Sequence, residues 1–144
     1  MRELAGACGL YCGACVFYRA YKDKDTALIH KLAAARNVRA EEIVCDGCLS
    51  SNYRLFVAAE SRDCAFKKCT AQKKVTWCFE CDQFPCKTLN EFSRDGRAHH
   101  TAVIDNSTEM KSLGIDEWLK VQERRWQCPH CEKKLHWRLG YVLP

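Results

Sequence analysis

Cysteine is the residue type in this sequence that could do chemistry, because thiols can form disulfides, bind zinc or hold an iron–sulfur cluster. The chain has 144 residues, of which 12 are cysteines, several times the ordinary usage. They recur in short groups: Cys8, Cys12 and Cys15; Cys45 and Cys48; Cys64 and Cys69; Cys78, Cys81 and Cys86; and Cys128 and Cys131. Thiols spaced this closely need a shared partner.

The redox state of the cellular compartment decides whether the cysteines form disulfides or bind metal. The opening residues lack the apolar run of a signal peptide, and no stretch approaches the roughly 18 apolar residues of a membrane span. We therefore expect a cytoplasmic chain with no membrane association. A reducing compartment keeps thiols free, so the cysteine pairs favour metal binding over structural disulfides.

The formal net charge of +5 suggests a nucleic-acid partner, but metal binding would change it. A zinc ion held by four thiolates contributes 2 − 4 = −2, so two such sites would bring +5 to +1 and three would bring it to −1. The lysines at 67, 68, 73 and 74 have helical spacing, which is typical of a solvated face. Nucleic acid is thus weakly supported as a partner, and an unknown protein partner is the alternative.

Helical patterns dominate the rest of the chain, and long β-branched runs are absent. We predict helices at 26–36, 62–74, 86–94, 98–113 and 115–126. In the helix at 98–113 we expect the inward-facing residues to be Val103, Ile104, Met110 and Leu113. In the helix at 115–126 we expect Trp118 and Leu119 to be buried.

The predicted fold is therefore mainly α, with a small α+β fold as the alternative, and its helices are joined by zinc-knuckle loops. Three parts are expected along the chain. Residues 1–95 would form a cysteine-rich zinc-binding domain, 96–126 a helical segment packed on it, and 127–144 a partial zinc-ribbon-like knuckle.

Five motifs in order carry a family resemblance: CGLYCGAC at the start, CDGCLS at 45–50, CAFKKC at 64–69, CFECDQFPC at 78–86, and EWLKVQERRWQCPHC near the end. Together they resemble the cysteine-rich family catalogued as domain of unknown function 3795. The resemblance implies a bacterial or archaeal protein that binds zinc and has no established activity. Longer members follow the last knuckle with a second cysteine pair, whereas here only His136 follows it.

Zinc takes four ligands tetrahedrally, and two CxxC pairs from separate segments are the usual way to supply them. We predict one site from Cys12, Cys15, Cys45 and Cys48. A second would use Cys69, Cys78, Cys81 and Cys86. Cys8 and Cys64 are left over, and either could replace a neighbour.

The last knuckle is incomplete, because Cys128 and Cys131 leave a zinc ion two ligands short. His136 is the best candidate for the third ligand, and the fourth would come from elsewhere in the chain, from water or from a second chain. The alternative is a knuckle without metal, packed by Trp126 and Trp137. Two or three zinc ions per chain are therefore expected.

Closely spaced thiols also allow other chemistries. An iron–sulfur cluster is the main alternative cofactor, and buried unligated cysteine explains one or two positions at most. The CxxxCxxC spacing also occurs in radical enzymes that use S-adenosylmethionine, but the chain is too short for their barrel. A thioredoxin-like pair would need a strand before the CxxC, which the sequence lacks.

No phosphate loop, serine nucleophile or other catalytic constellation is recognised. We therefore expect a structural zinc-binding protein that acts as a binding or interaction module rather than as an enzyme. The alternative is a small iron–sulfur or thiol redox protein that serves as an oxidoreductase component.

Overall fold

The computed structural model describes residues 1–50 and 64–137. In these two ranges it contains six α-helices joined by short 3₁₀ turns: α1 Val16–Lys22, α2 Thr26–Arg36, α3 Ala65–Gln72, α4 Lys87–Ser93, α5 Val103–Leu113 and α6 Ile115–Arg125. No β-strand occurs there, only isolated bridges between Ala5 and Tyr11 and between Gln127 and Lys134. The prediction of a mainly helical fold is confirmed.

Helix α2 has the bounds that its sequence predicts. The Asp25 carboxylate accepts a hydrogen bond of 2.9 Å from the backbone N–H of Leu28, which satisfies one of the orphan donors of the first turn. The helix ends at Asn37, whose φ of 54° is left-handed. Its buried residues Leu32 and Ala33 pack against α1 in a first small core.

The predicted helix at 98–113 begins later than expected. Ala98–His100 forms a 3₁₀ turn, and the α-helix starts only at Val103. Val103 and Met110 are buried as predicted, but the expectation for Leu113 is wrong, because its side chain is 46% exposed. Leu113 ends α5 immediately before Gly114, where the chain turns into α6, so its side chain projects beyond the core.

Helix α6 confirms the helix predicted at 115–126 and its buried residues. Trp118 is 0% and Leu119 4% exposed, and both belong to a second core cluster with Tyr11 and Trp77. The ring of Tyr11 meets that of Trp118 edge-on, with centroids 5.9 Å apart.

The N-terminal segment lies at the centre of these contacts. The Trp77 indole donates to the Ala5 carbonyl at 3.0 Å, and the Cys78 backbone N–H donates to the Ala7 carbonyl at 2.8 Å. Gly9 adopts a φ of +92° and lies so close to α5 that a Cβ there would come within 2.3 Å of the Val103 carbonyl oxygen. The first cysteine motif is thus held from two sides.

Parts of the predictions fall outside the described ranges. Residues 62 and 63 of the helix predicted at 62–74 are among them, as are residues 138–144 of the predicted C-terminal knuckle. Among the described helices, none combines the length and apolar character needed to span a membrane.

Candidate metal centre

The first cysteine group joins two loops that are far apart in sequence. Cys12 begins the 3₁₀ turn Cys12–Ala14 and Cys15 immediately precedes α1. The backbone N–H of Cys48 points at the Cys12 sulfur, with the nitrogen 3.4 Å from it. Cys12 and Cys45 are buried, at 2% and 4% exposure. The structure therefore brings both CxxC pairs of the predicted first site to one place.

Gly47 makes this approach possible. Its φ is +107°, and a Cβ on it would come within 2.5 Å of the Glu3 carbonyl oxygen. Only glycine fits such a turn without strain, so the CDGC loop can lie directly against the N-terminal segment.

The thiols of the first group influence one another electrostatically. The pKa of Cys15 is raised to about 12 and that of Cys45 to about 11, mainly by burial and in smaller part by the nearby Cys48. The hydrogen bond between Cys12 and Cys48 raises the pKa of Cys12 and lowers that of Cys48. Cys48 therefore loses its proton more readily than Cys12, and a metal ion would have to displace the protons of the neighbouring thiols.

Backbone N–H groups point at several cysteine sulfurs in the geometry that stabilises a thiolate. In each case a donor is the residue two positions later in the chain. The pairs are Leu10 to Cys8, Phe17 to Cys15, Gly47 to Cys45, Gln83 to Cys81 and His130 to Cys128. Because the thiolate is the form that binds zinc, this donor arrangement fits a metal-binding set of cysteines.

The second cysteine group lines one cavity between α3 and α4. The cavity has a volume of about 170 Å³, and its walls include Phe66 and Leu89. Its sulfur-bearing residues are Cys69, Cys78, Cys81 and Cys86. These four are the residues predicted from spacing to share the second site.

The surroundings of the second group differ from those of the first. Cys69 is exposed, whereas burial raises the pKa of Cys78 to about 12. The hydrogen bond to the Cys81 sulfur raises the pKa of Lys73, so an ammonium group lies beside this cavity. The second group is therefore the more accessible of the two.

Cys8 and Cys64 lie between the two groups. Cys8 is 7% exposed in a third apolar cluster, against which Cys64, Cys78 and Cys86 pack. Burial raises the pKa of Cys8 well above its ordinary value, and Cys48, Cys64 and Cys78 raise it further. The two residues left over from the predicted sites are thus neighbours of each other and of both sites.

The C-terminal knuckle forms a small hairpin. The Cys128 backbone N–H donates to the Lys133 carbonyl at 2.9 Å. The backbone N–H groups of His130 and Cys131 lower the pKa of Cys128, while Cys131 itself is exposed.

His136 follows this hairpin in the chain and lies beside α1 and α2. It lines a cavity of about 410 Å³ together with Asp23, Asp25 and Leu28 of the α1–α2 region. Its Nδ1 is buried without a hydrogen-bond partner, and burial lowers its pKa. The neighbouring Trp137 stacks on His99 with ring centroids 4.5 Å apart.

Across residues 1–50 and 64–137, no three His, Cys, Asp or Glu side chains are arranged to hold a metal ion. The structure therefore shows cysteines that are neighbours. Whether they bind metal, and which of them share a metal ion, stay predictions.

Two contributors to the site have no signal in the sequence. Lys67 donates from its Nζ to the Cys48 carbonyl at 2.8 Å, and its charge lowers the pKa of Cys48. Asn106 donates to the Gly9 carbonyl at 2.9 Å. Local periodicity describes Lys67 only as part of a solvated face and Asn106 only as a polar helix residue, because both contacts are distant in sequence.

Comparison with known proteins gives a family and no named relative. Residues 4–91 match the model of a family described as "Protein of unknown function (DUF3795)". The match contains all ten cysteines from Cys8 to Cys86 and excludes α5, α6 and the C-terminal hairpin. No curated protein and no solved structure matches the chain.

Proposed function

The chain belongs to the DUF3795 family of proteins of unknown function, and we propose that it is a structural zinc protein that acts as a binding or interaction module. In this proposal at least two zinc ions are held by thiolates. Cys12, Cys15, Cys45 and Cys48 would hold one, and Cys69, Cys78, Cys81 and Cys86 the other. The observation that carries the proposal is the convergence of cysteines from distant segments, several of them with backbone N–H groups directed at sulfur.

The core explains why a metal would be needed. Among the residues that the structure describes, the buried apolar side chains form three small clusters rather than one large one. Zinc supplies cross-links that a divided core lacks, and the binding energy of a structural site is folding energy. The first site would tie the N-terminal loop to the CDGC loop, and the second would tie α3 to α4.

A zinc ion with four thiolate ligands keeps no open position for substrate, so its contribution is structural.

The surface next to the first group contains a cavity of about 490 Å³ that is lined by Tyr11, Tyr18 and Trp126. Gly13 of the first motif and Asp46 of the CDGC loop also line it. Both loops of the first site thus position the cavity, and its aromatic side chains are of the types that dominate protein–protein contacts. We infer that a protein partner is bound here.

Elemental analysis of the full chain, purified without oxygen, tests the metal. The expected result is a colourless protein with at least two zinc ions, no iron and no acid-labile sulfide. A brown protein that contains iron and sulfide would overturn the proposal in favour of the redox alternative. A folded protein that contains no metal would overturn both.

A further inference from the structure

The C-terminal hairpin holds two cysteines one helical turn apart. The backbone N–H of Glu132 donates to the Cys128 carbonyl at 3.0 Å, which is the hydrogen bond of a single helical turn. Residues three positions apart on such a turn are neighbours, with Cβ atoms about 5–6 Å apart. The side chain of Cys131 accordingly forms a hydrogen bond with the Cys128 sulfur. The two thiols are therefore adjacent in the reduced chain.

The base of the hairpin fixes this turn at both ends. Gln127 forms an antiparallel bridge with Lys134, and the Cys128 backbone N–H donates to the Lys133 carbonyl at 2.9 Å. Residues 129–133 between them are exposed. A disulfide needs Cβ atoms about 3.5–4.5 Å apart. The turn can tighten to that distance by moving surface residues alone, without displacing the core.

The two sulfurs have different surroundings. The backbone N–H groups of His130 and Cys131 are directed at the Cys128 sulfur, and such donors stabilise a thiolate. The Cys131 side chain is exposed. In thiol–disulfide exchange the nucleophile is a thiolate, and a second thiol beside it completes the reaction. Cys128 thus has the features of the attacking sulfur, and Cys131 those of the sulfur that resolves the intermediate.

The hairpin and the end of α6 carry an excess of positive charge. With histidine neutral, residues 123–134 have four cationic and two anionic side chains, so their formal charge is 4 − 2 = +2. The cations are Arg124, Arg125, Lys133 and Lys134. A positive surface raises the local concentration of anions. The substrate that this surface favours is therefore an anionic one.

We propose that Cys128 and Cys131 form a thiol–disulfide exchange site whose substrate is the disulfide of a small anionic thiol compound. The Cys128 thiolate attacks one sulfur of that disulfide, so that a mixed disulfide forms and the first small thiol leaves as a thiolate. The Cys131 thiol gives its proton to solvent and attacks the Cys128 sulfur, which releases the second small thiol. Two electrons pass from the cysteine pair to the substrate. The inference goes beyond the proposed function, because it uses none of the cysteines assigned to zinc.

The test treats the full chain, purified without oxygen, with glutathione disulfide. Trypsin cleaves after Arg125 and Lys133, so the peptide 126–133 carries both thiols and no other cysteine. After an acid quench and alkylation, mass spectrometry should find this peptide with an internal disulfide and no alkyl group. Two alkyl groups on the peptide after treatment would overturn the exchange site. The rate should fall as salt is added, and a rate that salt does not change would overturn the anionic class of substrate.

Two single variants separate the roles of the sulfurs. Cys131→Ser should stop the reaction at its first step, so the mixed disulfide of glutathione with Cys128 should accumulate. Cys128→Ser is the matched control, because it keeps the exposed Cys131 and removes the sulfur at which the N–H groups are directed. Its mixed disulfide should form several-fold more slowly. Equal rates in the two variants would overturn Cys128 as the attacking sulfur.

The zinc content distinguishes this proposal from the proposed function. The double variant with Cys128→Ser and Cys131→Ser should bind as many zinc ions as the parent. Loss of one zinc ion in that variant would identify the pair as metal ligands and overturn the exchange site. A parent that binds no metal but forms the disulfide would overturn the zinc proposal and support the exchange site.

Discussion

The side-chain amide of Asn106 donates a hydrogen bond of 2.9 Å to the carbonyl of Gly9, and the contact is buried. It joins α5 to the first cysteine loop across 97 residues of sequence. Helix α5 lies outside the residues that match the family, yet it contacts the loop that carries the first cysteine motif.

Asn106→Ala should therefore destabilise the protein by about 1–3 kcal/mol, because the buried Gly9 carbonyl would lose its partner. Urea unfolding monitored by tryptophan fluorescence measures the change. Thr108→Ala is the matched control on the same helix, since Thr108 is exposed, and its cost should stay within about 0.5 kcal/mol. Equal effects of the two substitutions would contradict the role of Asn106.

Gly9→Ala should be much more harmful than Gly96→Ala. Both glycines have positive φ, +92° and +87°, so alanine costs about 1–2 kcal/mol of backbone strain at either position. Only at Gly9 would the new Cβ also meet the Val103 carbonyl at 2.3 Å, whereas nothing lies within 4 Å at Gly96. Because the backbone strain is common to both variants, the difference between their melting temperatures measures the effect of the close contact at Gly9. Similar melting temperatures would show that the loop at Gly9 is less tightly packed against α5.

Trp118→Ala should cost about 3–5 kcal/mol, because the indole is fully buried against Tyr11 and α5. Leu113→Ala on the neighbouring helix is the control. Its side chain is 46% exposed, so the loss should be well under half as large. Chemical denaturation gives both values, and a Trp118→Ala protein as stable as the parent would place α6 outside the core.

Cys45→Ser should damage folding rather than a catalytic step. Cys45 is 4% exposed among the first group, and loss of one structural ligand removes binding energy that is also folding energy. The expected result is a lower melting temperature together with a reduced zinc content. Cys131→Ser, in the C-terminal hairpin, is the comparison and should leave the Cys8–Cys86 region folded. A Cys45→Ser protein that melts like wild type would remove Cys45 from the structural ligands.

The ion pair between Arg2 and Asp116 predicts a small dependence of stability on pH. The Arg2 guanidinium donates two hydrogen bonds to the Asp116 carboxylate, at 2.9 and 2.6 Å, and lowers the pKa of Asp116 below 3.8. Because the folded pKa is the lower one, the stabilisation is fully present above pH 3.8 and is lost as the pH falls through the folded value.

Asp116→Asn should therefore lower the melting temperature slightly at pH 6, and the difference from wild type should vanish at strongly acidic pH. The pair is exposed, so added salt should also shrink the difference. Comparing wild type with the variant at each pH cancels the acid sensitivity of any zinc sites. A difference that does not change with pH would assign the effect to packing.

The sequence predicts those features that local chemistry decides. Asp25 and Asn37 mark the ends of α2, and the spacing of Ile115, Trp118 and Leu119 identifies the buried face of α6. These signals are local, because a cap or an apolar stripe acts within a few residues.

What the sequence could not show depends on contacts between distant segments. Helical periodicity assigns Leu113 to the inner face, but the turn at Gly114 leaves it exposed. Spacing from Cys131 suggests His136 as a ligand, which stays a prediction, but it gives no sign that His136 lines a cavity with Asp23 and Asp25. The hydrogen bond between Asn106 and Gly9 likewise cannot be predicted from local sequence, because it joins distant segments.

The central position of the N-terminal segment has a consequence for synthesis on the ribosome. Cys8, Cys12 and Cys15 leave the ribosome well before Trp77, Asn106 and Trp118, which enclose their loop. At about 5–20 residues per second, the roughly 100 intervening residues take about 5–20 s. For that interval the thiols of the nascent chain are open to solvent, to oxidants and to competing metal ions. Helix α6, rather than the first motif, therefore sets the moment at which this cysteine loop is enclosed.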